Sequence, residues 1–372
     1  MISTLAASII LAHSTAFEVP TAGAANDARR IRQDQWHLRF LNVAKAHLVT
    51  RGSGIVVAVP DTGVDAHPDL AGNLLRGTDV MSDAGGDGRR DANSHGTAMA
   101  GLIAAHGAAD NLGALGIAPE AKILPIISSA ADNRGEADDL AAAVEYATSH
   151  HADVISISSS GATSARLVQA IKAALAADIV VVAGVGNRPE AISVGYPASE
   201  DDVIAVAGVD RAGRHASISV TGPEADVAAP AVDIYSTSYG GKYSKGTGTS
   251  GATAIVAGAA ALIRSKYPDL PAQEVAHRLT ATAIDKGPPG RDDEYGYGVI
   301  DLVAALTADV PPLGFESPSV TAPTSTAARG SSDDNSTARG LATLGVLLVA
   351  GGGYLVWRRR RRAEDPPPRI SR

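Results

Sequence analysis

Four short segments bring reactive side chain types together with glycine. They are Val59-Pro60-Asp61-Thr62-Gly63-Val64-Asp65, Ser94-His95-Gly96-Thr97, Gly184-Val185-Gly186-Asn187 and Gly246-Thr247-Gly248-Thr249-Ser250-Gly251. A carboxylate, an imidazole and a hydroxyl are the parts of a nucleophilic hydrolase. A serine hydroxyl attacks well only when a neutral imidazole takes its proton. The imidazole in turn needs a carboxylate to fix its tautomer and stabilise its charged form. Ser250 opens an Ala-rich helical stretch. Its backbone N–H therefore lies near a positive helix end and can face a developing oxyanion. An amide at Asn187, after a strand, can donate to the same oxyanion. Taken singly, each piece has a plainer reading. Asp61 suits a turn or a metal ligand, His95 and Asn187 suit surface turns, and Gly-Thr-Ser-Gly suits a helix cap.

The elements around these segments point to an α/β fold. Continuous apolar runs at 54–60, 122–127, 153–158, 179–183 and 203–209 read as buried strands. They do not alternate with polar residues, as expected when helices cover both faces of a parallel sheet. Helical spacing occupies 98–105, 137–149, 165–177, 252–267 and 272–283. Repeated strand–helix order predicts a mostly parallel central sheet between two helical layers, with the site at the carboxyl ends of the strands.

Composition narrows the function. The 372 residues carry a formal net charge of -8, which speaks against a nucleic-acid partner. No Cys is present, so disulfides, thiolate metal sites and a Cys nucleophile are excluded. No Gly-rich phosphate loop and no His-Glu-x-x-His occurs, which argues against a nucleotide-binding domain and a zinc hydrolase. The acidic loop from Ser82 to Asn93 reads as a solvated connection rather than a calcium site, so no metal and no cofactor is expected.

The ends suggest topology. Gly340 to Trp357 holds no charge and is followed by Arg358 to Arg362, five arginines in a row. A helix of that length spans roughly 27 Å, close to a bilayer's hydrocarbon core, and the arginines mark the cytoplasmic side. Residues 1–25 read as a signal peptide, although no Lys or Arg precedes Arg29. The expected plan is a signal peptide (1–25), a catalytic domain (26–306), a Pro/Ser/Thr-rich tether (307–338), a membrane helix (339–358) and a basic cytoplasmic tail (359–372). The catalytic domain would then face outward from the cell membrane.

With its motifs in order, the chain resembles the subtilisin-like serine proteases. The resemblance rests on Asp61-Thr62-Gly63-Val64-Asp65 with His67-Pro68-Asp69-Leu70, on His95-Gly96-Thr97, on Gly186-Asn187 and on Gly248-Thr249-Ser250. The Asp, His, Ser order is that of subtilisin itself. Within the family it is similar to the mycosins, proteases associated with type VII secretion. The shared features are Gln35-Trp36-His37-Leu38, Leu124-Pro125-Ile126, and a Pro-rich tether before a membrane helix. The resemblance implies a serine endopeptidase acting on peptide or protein substrates, with possible partners in the secretion machinery. It implies that Asp61 orients His95, His95 is the base, Ser250 the nucleophile, and Asn187 with Ser250 the oxyanion hole. It makes Ser158, Ser159, Ser160 and Gly161 a strand that pairs with substrate, and Gly184, Val185 and Gly186 a wall of the specificity pocket. The alternative is the same fold serving as a structural partner with little proteolysis. Departures from the family pattern are Pro60 before the Asp, Ser159 and Ser160, Gly251 after the nucleophile, and Ala254 in place of proline.

Overall fold

The computed structural model describes residues 8–10, 15–18 and 24–314, apart from 83–84, 109–111 and 133. The chain opens with strands β1 (Ser8–Ile10) and β2 (Thr15–Glu18) and helices α1 (Ala24–Asp34), α2 (Trp36–Phe40) and α3 (Val43–Ala46). Then come β3 (Val56–Asp61), β4 (Thr78–Asp79), α4 (His95–Ala104), β5 (Lys122–Ile127), β6 (Arg134–Glu136) and α5 (Ala137–Ser149). They are followed by β7 (Val154–Ile157), α6 (Ala165–Ala176), β8 (Val180–Gly184), β9 (Ile204–Val209) and β10 (Val227–Pro230). The last elements are β11 (Ile234–Ser238), β12 (Lys242–Thr247), α7 (Thr249–Lys266), α8 (Ala272–Ala281) and α9 (Leu302–Thr307).

Seven strands form the central sheet in the order β10-β9-β8-β7-β3-β5-β4. Every pair in it is parallel. Alternate residues of each strand feed two separate cores, as the pleat requires. Val57, Val59, Val180 and Val182 meet the cluster that holds α4 and α7. Ala58, Ile155, Val181 and Ala183 meet the cluster that holds α5 and α6. The result is three layers. The chain leaves β3 toward β5 on one side and returns to β7 on the other, so strand order reverses at β3. That is where ligand crevices form in open parallel sheets.

α7 is apolar all round and buried from Thr249 to Arg264, as a helix through the middle of a domain must be. Its small residues let neighbours approach. A methyl group at Gly258 would sit 2.7 Å from Ile117 Cβ. The helix begins three residues earlier than its hydrophobic spacing predicts, so Ser250 lies inside the first turn. Ala254, in the helix interior, avoids the ring clash and lost hydrogen bond of a proline there.

Pro60 looks misplaced in a central strand, and the register explains it. Asp153 N donates to the Val56 carbonyl, so the even residues of β3 turn their backbone toward β7. The β3–β7 pairing ends at Ala58 with Ile155. Continuing that register sets Pro60 level with Ile157, the last residue of β7, so the ladder bond that proline cannot make falls at the end of the strand.

Gly251 leaves room beside α7. A methyl group there would meet Leu102 Cδ1 at 3.6 Å and Ile234 Cγ1 at 3.8 Å, ordinary contact distances. Gly251→Ala is therefore expected to stabilise the fold by ~0.5–1 kcal/mol through helix propensity, raising the melting temperature by about 2 °C. A thermal scan showing a lower midpoint would mean that the space is not usable.

The segment Gln35 to Leu38 ties the N-terminal helices to the domain. Gln35 Nε2 donates to the Leu115 and Tyr235 carbonyls at 3.0 and 3.2 Å, and its Oε1 accepts from Leu115 N at 2.9 Å. Trp36 Nε1 donates to the carbonyls of Val232 and Asp233. Within the expected signal segment, β1 pairs antiparallel with β6, and β2 with β12. At the other end the chain stays attached beyond Leu306. Leu313 N donates to Glu274 Oε1 at 2.7 Å, and His277 Nε2 lies 3.0 Å from the Pro311 carbonyl. The rest of the expected tether, the membrane helix and the basic tail lie outside the described residues. Among the described residues, no helix is long and apolar enough to cross a membrane.

Candidate active site

Asp61 ends β3 and His95 begins α4, and the two side chains meet. His95 Nδ1 donates to the Asp61 carboxylate, 2.8 Å from Oδ1 and 2.9 Å from Oδ2. Both residues are buried. Two glycines permit the approach. At Gly96 a methyl group would fall 2.1 Å from the Gly63 carbonyl oxygen. At Gly63, where φ is +98°, it would fall 2.0 Å from the Arg90 carbonyl oxygen. Any side chain at either position would push the two turns apart.

The pair is held by a network that sequence motifs did not reveal. Thr62 N donates to Asp61 Oδ1 at 2.7 Å. Thr62 Oγ1 accepts from Gly96 N at 3.1 Å and donates to Asp91 Oδ1 at 3.0 Å. Asp91 is itself buried and caps α4. Its Oδ1 accepts from Asn93 N and Ser94 N, and its Oδ2 from Thr97 N and Thr97 Oγ1. A carboxylate at that place also complements the positive helix end. The signal was an Asp four residues before the imidazole that starts the helix. With both oxygens occupied by N–H and O–H donors, Asp91 is not disposed as a cation ligand. Among the described residues no three His, Asp or Glu side chains gather in a way that would hold a metal ion.

Charge at the imidazole follows from this setting. Burial alone pushes His95 down. The Asp61 carboxylate opposes it by charge and by hydrogen bond, Asp91 adds its charge, and the net shift is upward. A base must be neutral to accept a proton, so activity should rise with pH through a midpoint above the usual ~6.5 of histidine. Asp91→Asn removes one of the charges that favour imidazolium. The acid limb of kcat/KM is then expected to move to lower pH, with some loss of stability from the broken cap. An unchanged midpoint in the pH–rate profile would reduce Asp91 to a helix cap alone.

Ser250 sits in the first turn of α7, where backbone N–H groups have no partner within the helix. Its Oγ donates to the Ser158 carbonyl at 3.1 Å. Ser158 Oγ lies 3.5 Å from the Ser250 carbonyl, so the turn holding Ser250 and the end of β7 are joined in both directions. Asn187 follows β8. Its Oδ1 accepts from Thr249 N at 2.8 Å and Thr249 Oγ1 at 3.2 Å. Two donors on Oδ1 fix which way the amide points and turn Nδ2 away from Thr249. α4 and α7 pack on one another, and each leads with its reactive residue.

The expected substrate residues separate into two groups. Ser158, Ser159 and Ser160 run on from β7, while Gly161 N already donates to the Tyr196 carbonyl at 3.2 Å. Gly186, at φ +104°, faces that run. A methyl group on it would come within 3.2 Å of Ser160 Oγ. Gly184 faces the other way, toward Thr253 Oγ1 and Thr249 Oγ1, at 2.9 and 3.1 Å from a hypothetical methyl group. Val185 is fully buried in the core. Gly184 thus lets α7, and with it Ser250, lie directly against β8.

Comparison with known proteins gives the same arrangement a context. Residues 52–298 match the model of the subtilase family. Subtilisin DY of Bacillus licheniformis is 41% identical over 261 residues, covering 68% of this chain and 92% of its own. Subtilisin E of Bacillus subtilis is 40% identical over 259 residues, covering 68% and 66%. Among solved structures, MycP1 from Mycobacterium smegmatis matches with a TM-score of 0.68 at 27% identity, over 82% of this chain and 90% of that one. A MycP1 serine protease, an essential component of the type VII (ESX-1) secretion system, matches with a TM-score of 0.68 at 32% identity, over 80% and 92%.

Proposed function

The chain belongs to the subtilase family of serine endopeptidases, and from that premise we propose that Asp61, His95 and Ser250 are its catalytic triad. The observation that carries the proposal is the buried hydrogen bond from His95 Nδ1 to Asp61 at 2.8 Å. It fixes the tautomer in which Nε2 is the basic nitrogen.

At rest the Ser250 hydroxyl is parked on the Ser158 carbonyl. For attack it turns toward His95, which takes the proton as Oγ bonds to the scissile carbonyl carbon. The carbonyl oxygen becomes negative and is held by Asn187 Nδ2 and the Ser250 N–H. Collapse breaks the C–N bond, and His95 returns the proton to the leaving amine. Water then repeats the sequence on the acyl-enzyme and frees the carboxylate. The substrate lies extended along Ser158 to Ser160, with Gly186 keeping the opposite wall low. Backbone pairing of this kind recognises peptide rather than particular side chains.

The proposal extends to the setting. An uncharged stretch from Gly340 to Trp357 followed by five arginines supports a single membrane helix with the peptidase domain outside the cytoplasm. Similarity to MycP1 and MycP3 supports a role beside a type VII secretion system. An active-serine phosphonate probe tests the catalytic core. Wild type should be labelled and Ser250→Ala should not. Equal labelling of the two proteins would end the triad assignment.

A further inference from the structure

α1, α2 and α3 line, with His106, Ala108 and Leu115 from beyond α4, a cavity of about 830 Å³. Arg32, Arg39, Lys45 and Arg51 line it, and no carboxylate stands among its described lining residues. This is a concentrated positive site on a chain whose net charge is -8. Part of the charge is already balanced, since Arg51 Nε pairs with Glu120 at 2.7 Å and Asp69 acts on Arg32. Arg39 and Lys45 are exposed and form no ion pair among the described residues. Among the described residues Arg39 donates only to the Gln33 carbonyl, at 3.0 Å. Burial lowers the proton affinity of Arg32 and of the neighbouring His47, and Arg51 pushes both the same way. The cations repel one another, and an anion entering the cavity would relieve that repulsion.

The lining also has an apolar component. Leu38 is buried at its base, and Leu48 stands 87% exposed beside it. A concave site with an apolar base and a cationic rim fits a side chain inserted from a peptide. The recessed Leu38, below the rim, is reached by an inserted side chain rather than by the plane of a bilayer. The cavity lies at the far end of α4 from His95, roughly 15 Å along the helix axis, so an occupant would leave the catalytic cleft open.

We propose that this cavity docks an acidic segment of a partner protein, inserting one leucine-sized side chain between flanking carboxylates. The site is independent of the chemistry at Ser250. The test uses the full chain carrying Ser250→Ala, so that peptide is not consumed, and reads fluorescence anisotropy. The probe is a fluorescein-labelled octapeptide of glutamates interrupted by two leucines. A matching peptide with lysine for glutamate and vesicles of phosphatidylglycerol serve as controls. The glutamate peptide should bind, more weakly as salt rises, and the lysine peptide should not. Arg39→Glu with Lys45→Glu should weaken binding at least tenfold while leaving the unfolding midpoint unchanged. Should the midpoint fall, Arg39→Gln with Lys45→Gln gives the same reading with less charge disturbance. Equal affinity for the variant would place the peptide elsewhere. Binding of vesicles without the peptide would make the site a membrane contact. Absence of peptide binding would likewise overturn the proposal.

Discussion

Ser250→Ala is expected to lower turnover of a peptide substrate by ~10⁶-fold, and His95→Ala by about as much. That size is the one known for subtilisin, a member of the same family. The double variant should be no worse than either single one. The reason is that nucleophile and base act in one step: without the hydroxyl there is no proton to move, and without the imidazole no nucleophile to form. Residual hydrolysis, on the order of 10³-fold above water, should survive because the proposed oxyanion donors, Asn187 Nδ2 and the Ser250-position N–H, remain in place. Single-turnover kinetics on purified variants would check this. Multiplicative losses in the double variant would mean that the two residues act separately, which no shared proton-transfer line allows.

A buried imidazole outside the site should dominate the response to acid. His37 lies in α2, fully buried, and neither ring nitrogen has a hydrogen-bond partner among the described residues. Burial pushes it down to about 3. The sign follows from linkage. Above pH ~6.5 the ring is neutral in both folded and unfolded chains, and stability does not depend on it. Below that value the unfolded chain takes up a proton that the folded chain refuses until about pH 3. Folding therefore loses stability as pH falls through that window. His37→Leu should remove the penalty. In denaturant titrations on the Ser250→Ala background, the stability gap between variant and parent should widen by roughly 3 kcal/mol between pH 7 and pH 4. The variant should also gain about 1 kcal/mol at neutral pH, because two unsatisfied nitrogens leave the interior. Curves that stay parallel from neutral to acid pH would show that the folded protein admits a proton at His37. The His95 contribution runs the opposite way, since its shift is upward, but it is common to both proteins and cancels in the difference.

Much of the architecture was legible in the chain. The strands at 56–61, 122–127, 154–157, 180–184 and 204–209 were readable because residues buried on both faces must be apolar without interruption. The small segments β11 and β12 were not, because they mix Ser, Thr, Gly and Lys and take their conformation from partners far along the chain, and β10 is only four residues long and ends in proline. The proposed site residues Asp61, His95, Asn187 and Ser250 were picked out by reactive type beside glycine, a local pattern that needs no knowledge of contacts.

Tertiary structure decided the rest, because it concerns which groups meet. No local pattern tells that Pro60 stands level with the last residue of β7, or that Gly184 makes room for α7 while Gly186 faces Ser160. Nor does it tell that Asp91 spends both oxygens on α4 and Thr62, or that the ring nitrogens of His37 find no hydrogen-bond partner among the described residues. The four cations of the basic cavity are spread over some twenty residues of the sequence and gather only when the three N-terminal helices pack at the end of α4. Residue type sets what a side chain can do, and it is written locally. Its partners, and hence its proton affinity and its cost of burial, belong to the folded surroundings.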